Sequence, residues 1–90
     1  MHYHTNNPYP VIAETEYPDF VALGVKGLKP TYAEWHSKQR QSVIERDRVG
    51  ERPVPVRVTL SEFKRFCDQR GMGYVDQWLL HYAFEHAPSH

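Results

Sequence analysis

The chain carries a single cysteine, Cys67, in 90 residues. No intramolecular disulfide can form, and one thiolate cannot supply the paired ligands of a structural zinc site. Charge of one sign is lacking too: eleven Lys/Arg balance eleven Asp/Glu. That balance argues against a constitutively basic nucleic-acid binder. No apolar run approaches the ~18 residues of a transmembrane helix. The first residues, MHYHTNNPYP, have neither a basic segment nor an apolar one, so no signal peptide is expected. A reducing, cytoplasmic setting is the expectation.

Other chemistries are missing as well. There is no internal repeat, no low-complexity tract, no Gly-rich phosphate loop, no paired-carboxylate cluster and no Ser/His/Asp arrangement. Gly71-Met72-Gly73 lacks the third glycine and the preceding strand of a dinucleotide fingerprint, so it reads as a turn. Catalytic residues, cofactors and a small-molecule substrate are therefore not expected, and the chain reads as non-enzymatic.

The six histidines invite a metal reading. His81 and Glu85 stand at i, i+4 and share a helix face, but His86 is at i+5 from His81 and looks elsewhere. This is not the His-Glu-x-x-His order of zinc peptidases, and no metal site is expected. Cys67 lies beside Phe63 and Phe66 on the apolar side of its segment, which makes it a core residue rather than a nucleophile.

What is present is enough for one domain. Ninety residues bury roughly 60–65% of their unfolded surface, so the margin of stability is thin without a partner. The twelve aromatic residues are the large pieces available to bury. Residues 1–17 hold Pro8, Pro10 and three tyrosines and read as an extended arm. Pro10-Val11-Ile12-Ala13 is a candidate edge strand, with Tyr9, Val11 and Tyr17 able to lie over the core. The domain proper spans residues 18–90. Pro18-Asp19 opens a short helical segment through Phe20, Val21 and Leu23, with Gly24 and Gly27 offering left-handed exits. Thr31 and Glu34 have the spacing of a capping box for a helix over residues 32–49. Its apolar residues, Tyr32, Trp35, Val43, Ile44 and Val49, flank a polar centre, so both ends are expected to pack.

Residues 54–60 alternate Val54, Val56, Val58 and Leu60 with Pro55, Arg57 and Thr59. Period two with β-branched residues predicts a strand with one buried face. Pro53 and Pro55 put its start at a sheet edge. Ser61 is the expected cap of the following helix, which carries Phe63, Phe66 and Cys67 on one side. After Gly71-Met72-Gly73 a last helix is expected from Tyr74 or Val75 to Ala87. Val75, Trp78, Leu79, Tyr82 and His86 form one stripe; Leu80, Ala83, Phe84 and Ala87 form another beside it. Together they exceed the ~100° that one buried face needs.

The fold expectation is an α+β domain with three to four helices, a small antiparallel sheet and a C-terminal strand-helix-helix unit. The expected core is Phe20, Leu23, Trp35, Ile44, Val56, Val58, Leu60, Phe63, Phe66, Cys67, Trp78, Leu79 and Tyr82. The surplus apolar surface of the last helix predicts protein-protein contact, with a partner or a second copy, through Trp78, Leu80, Tyr82 and Phe84. Small proteins of phages, plasmids and other mobile elements share this build, which suggests an accessory role of that kind.

Strand, helix, helix is also the order of ribbon-helix-helix repressors, which this third of the chain resembles, and a helix-turn-helix pair is an equally loose match. The resemblance implies a dimeric DNA-binding regulator. Arg57 and Thr59 would lie on the exposed strand face, with Lys64 and Arg65 beside them. Residues 38–70 hold nine Lys/Arg against five Asp/Glu, a local positive excess that suits that alternative. Two features depart from the pattern: the first helix, ending at Gly71, is short, and Pro53 and Pro55 would damage ribbon pairing.

Overall fold

A computed structural model describes residues 5–87. In chain order it comprises β1 (Thr5–Val11), α1 (Tyr17–Leu23), α2 (Tyr32–Arg48), β2 (Glu51–Arg57), α3 (Leu60–Gln69) and α4 (Gln77–His86). The α+β class and the four helices agree with the sequence reading. His2 and His4 lie outside the described residues.

The sheet is parallel, not antiparallel as expected. Thr5 stands opposite Glu51, and the register runs in step to Val11 opposite Arg57. An antiparallel pair comes from a tight hairpin, but two helices separate these strands, so the chain crosses over and re-enters at the same end. Both strands are displaced from their expected positions. β1 starts at Thr5 rather than near residue 10, and β2 ends at Arg57 rather than at residue 60. The reason for the second shift lies at Thr59. Its hydroxyl accepts from the Glu62 amide at 3.3 Å, so Thr59, not Ser61, caps α3 and Leu60 is already helical.

The prolines explain how so small a sheet persists. The Val58 amide donates to the Val11 carbonyl at 2.9 Å. With the observed register, odd-numbered residues of β1 and even-numbered residues of β2 turn their amides into the ladder. Pro8 and Pro10 in β1, and Pro53 and Pro55 in β2, all have the opposite parity. Their missing N–H groups therefore point away from the shared ladder and cost it nothing. The same four residues leave the two outer edges short of donors, which blocks growth of the sheet.

The helices form where local chemistry asks for them. Pro18 sits in the first turn of α1, and Gly24 ends that helix at φ +84°, its amide donating to Val21 O at 3.0 Å. Thr31 caps α2 as expected, accepting from the Glu34 amide at 3.3 Å. The Glu34 carboxylate accepts from the Thr31 hydroxyl at 3.1 Å, a variant of the capping box that leaves the Thr31 amide aside. α4 begins at Gln77, later than expected, because residues 74–76 are used elsewhere. Lys26 N donates to Tyr74 O, and Asp76 N to Lys26 O, each at 2.9 Å, stitching the two connecting loops together. Gly27 at φ +83° completes this seam, and the Asp76 carboxylate lies where a Cβ on Gly27 would stand.

The core draws on all four helices, on β2 and on the segments that follow the strands. Ile12, Tyr17, Phe20, Val25, Trp35, Val56 and Val58 are buried with Phe63, Phe66, Cys67, Leu79, Tyr82 and Ala83. Leu23, Leu60 and Trp78, expected inside, are partly buried at its margin. Ile44, also expected inside, is 44% exposed, and Val49 is 63% exposed. The apolar side chains at the far end of α2 thus face solvent. That helix lays residues Trp35, Gln39, Val43 and Asp47, one per turn, along its inner side, and Ile44 stands one position off that line.

Candidate functional site

α4 is the element on which the sequence placed a contact surface. Leu79, Tyr82 and Ala83 are buried, and Trp78 is half-buried with its ring 4.8 Å from that of His81. Leu80 and Phe84, one turn apart, are 45% and 56% exposed. The four expected partner-binding residues therefore divide. Leu80 and Phe84 share an exposed face, while Tyr82 is 3% exposed and Trp78 packs at the core's margin.

Tyr82 has a job inside the fold. Its hydroxyl donates to Glu62 at 3.0 Å, and its ring stacks on His86 at 4.1 Å and meets Phe66 edge-on at 5.4 Å. Burial, and then the bond to Glu62, push its pKa up to about 12. The Thr59 hydroxyl and then Tyr82 hold the Glu62 carboxyl below its usual value. Beside them Arg70 lies 3.9 Å over the Phe66 ring and pairs with Glu85 at 2.5 Å. This polar rim ties α3 to α4, and each of these groups already has a partner.

Beside Leu80 and Phe84 runs a groove of about 190 Å³ between α4 and α2, with Tyr9 and Val43 on its opposite wall and Arg46 and Glu51 at its mouth. Arg46 and Glu51 are ion-paired at 3.2 Å and neutralise each other, and the Asp76 carboxylate also lines the groove. A larger pocket of about 370 Å³ lies on the other flank of α2, toward Pro55 of β2. Tyr32, Trp35 and Tyr17 form one aromatic cluster next to it, with centroid separations of 5.6–6.1 Å. No local pattern in the chain signals this pocket, since its walls come from three elements far apart in sequence.

The residues of the DNA-binding alternative are dispersed in role. Arg57 is exposed at the end of β2, and Lys64 and Arg65 are exposed on α3. The Thr59 hydroxyl is engaged by Ser61 and Glu62 as well as by the helix cap. One edge of β2 is already hydrogen-bonded to β1, and the other lacks donors at Pro53 and Pro55. Cys67 is buried, and burial pushes its thiol above the ordinary value. No group of three or more His, Cys, Asp or Glu side chains converges among the described residues. No helix among them is long and apolar enough to cross a membrane.

No protein-family model, curated protein or solved structure matches this chain.

Proposed function

We propose that this protein is a non-enzymatic binding module that associates reversibly with a second copy of itself through the exposed face of α4. The observation that carries this reading is the adjacent exposure of Leu80 and Phe84 on a helix whose other side is fully used by the core. Such a pair, rimmed by polar residues, is a contact surface in search of cover. A second copy suits it because the face carries little charge. Arg46 and Glu51 neutralise each other, Asp76 is the one further charged side chain lining the groove, and the whole chain has zero net charge. Identical surfaces can then meet with the two Asp76 carboxylates as the only like charges of the groove to hold apart. The patch falls well short of the ~800 Å² per partner that stable interfaces bury, so the association is weak and concentration-dependent. A ribbon-type DNA regulator has less support, because the outer edge of β2 cannot donate a regular ladder and Thr59 is committed to a helix cap.

Sedimentation equilibrium tests this directly. The mean mass should rise above 10.6 kDa as concentration increases toward the order of 1 mM. Leu80→Glu should return it to the monomer value without changing the thermal midpoint. A mass that stays at the monomer value throughout, or an association untouched by Leu80→Glu, overturns the proposal.

A further inference from the structure

A different surface carries a second binding function. We propose that the pocket between α2 and the sheet takes a small aromatic carboxylate. The walls set the shape of the ligand. Tyr9 and Pro55 come from the two strands, and Tyr32 and Trp35 come from α2. These are flat side chains, and they favour a flat, polarizable body lying against or edge-on to them. The volume, about 370 Å³, is at the small end of ligand sites, which suits one or two fused rings.

The rim sets the charge. Gln39 and Arg40, neighbours on α2, reach the pocket with His36, and no Asp or Glu lines it. Arg40 makes no ion pair among the described residues, in contrast to Arg46 and Arg70. Its guanidinium is a planar fork with paired donors, which matches a carboxylate in two parallel hydrogen bonds. His36 is held differently, stacked on Tyr32 at 5.3 Å. That stack fixes the Tyr32 ring as a wall. The site therefore offers an apolar slot with Arg40 as the one Lys or Arg in its lining, and an anion with an aromatic body answers both parts.

The pocket shares Tyr9, Gln39 and Val43 with the groove beside α4, but Leu80 and Phe84 do not line it, so variants at Leu80 and at Arg40 separate the two functions. The test is a titration of the full chain by amide and indole chemical shifts. The probes are naphthalene-2-carboxylate and its uncharged amide, naphthalene-2-carboxamide, at neutral pH. The carboxylate should bind with a dissociation constant on the order of 1 mM or tighter. Shifts should centre on residues 9–11, 32–43 and the Trp35 indole. The amide should bind about tenfold more weakly, having lost the charge-assisted bonds. Arg40→Gln, an exposed change, should remove that tenfold preference while leaving the amide's affinity as it was. Leu80→Glu should alter neither. Equal affinity for the two probes, a preference that survives Arg40→Gln, or shifts centred on α4 instead would each overturn the assignment.

Discussion

α3 is ten residues long and buries Phe63, Phe66 and Cys67, whereas α2 is seventeen residues long and buries Trp35 alone. Both start from a threonine cap with a glutamate three residues on. They differ in what the sequence asks of them afterwards. α3 keeps its apolar side chains on one face and its Lys and Arg on the other, so its burial follows from helix geometry. α2 mixes both charge signs and has no comparable face. It is held by Trp35 at one end and by its caps, and it bridges the sheet as a largely solvated strut. Stability is thus concentrated in the α3–α4 half. The α2 flank is left with the open pockets in which binding can occur.

The largest expected effect breaks this contrast at its centre. Phe63 is fully buried and meets the Phe20 ring at 5.8 Å. Phe63→Ala should cost roughly 3–5 kcal/mol, most of what a domain this small possesses. Ile44→Ala, a truncation on α2, should stay within about 0.5 kcal/mol. Urea unfolding of the two variants measures both. A loss at Ile44 comparable to that at Phe63 would show α2 to be as integral as α3.

A middle-sized effect is expected at the seam joining the loops. Gly24 and Gly27 both have φ near +84°, but a Cβ at Gly24 meets open space, while one at Gly27 comes within 2.7 Å of the Asp76 carboxylate. Gly24→Ala should cost about 1 kcal/mol for left-handed backbone alone. Gly27→Ala should cost roughly 1 kcal/mol more, because Asp76 must move. Thermal melts will show two separated midpoints if the seam is rigid and coincident ones if Asp76 yields freely.

The smallest effect compares the two caps. Thr31→Ala and Thr59→Ala should each lose about 1 kcal/mol. The loss at Thr59 should be the greater, since its hydroxyl also fixes the Glu62 carboxylate that receives Tyr82, at 2.6 Å from Glu62 Oε1. In a Tyr82→Phe background the surplus should shrink, which a double-mutant cycle reads.

This uneven build also decides what the sequence could reveal. The period-two run through Val56 and Val58, the amphipathic α3, the Thr31 cap and the buried Cys67 were all legible, because each is a local pattern with one physical outcome. Three things were not. The partner of β2 is 46 positions away in register (residue 5 with 51), so nothing local distinguishes parallel from antiparallel. The Glu16 carboxylate, which accepts from the Leu60 amide at 2.6 Å and adds a second cap to α3, comes from a distant turn. Ile44 was expected inside on its apolarity alone, yet it falls one position off the line that faces the sheet. Of the candidate surface, the surplus on α4 was legible, and its division into exposed Leu80 and Phe84 and buried Tyr82 was not. That division depends on where Phe66 and Glu62 come to lie.

The long-range ladder has a consequence for how the chain comes to exist. β1 is made before β2, and its one strand partner among the described residues follows more than forty residues later. α4, which packs against β1, is later still. Until then Pro8 and Pro10 close only the outer edge of β1, and the edge that β2 will occupy stays open. Loop closure over so long a span is slow relative to a hairpin. The sheet and its cover are therefore complete only once α4 has been made. A chain cut before α4 should hold helices without the sheet they were built to cover.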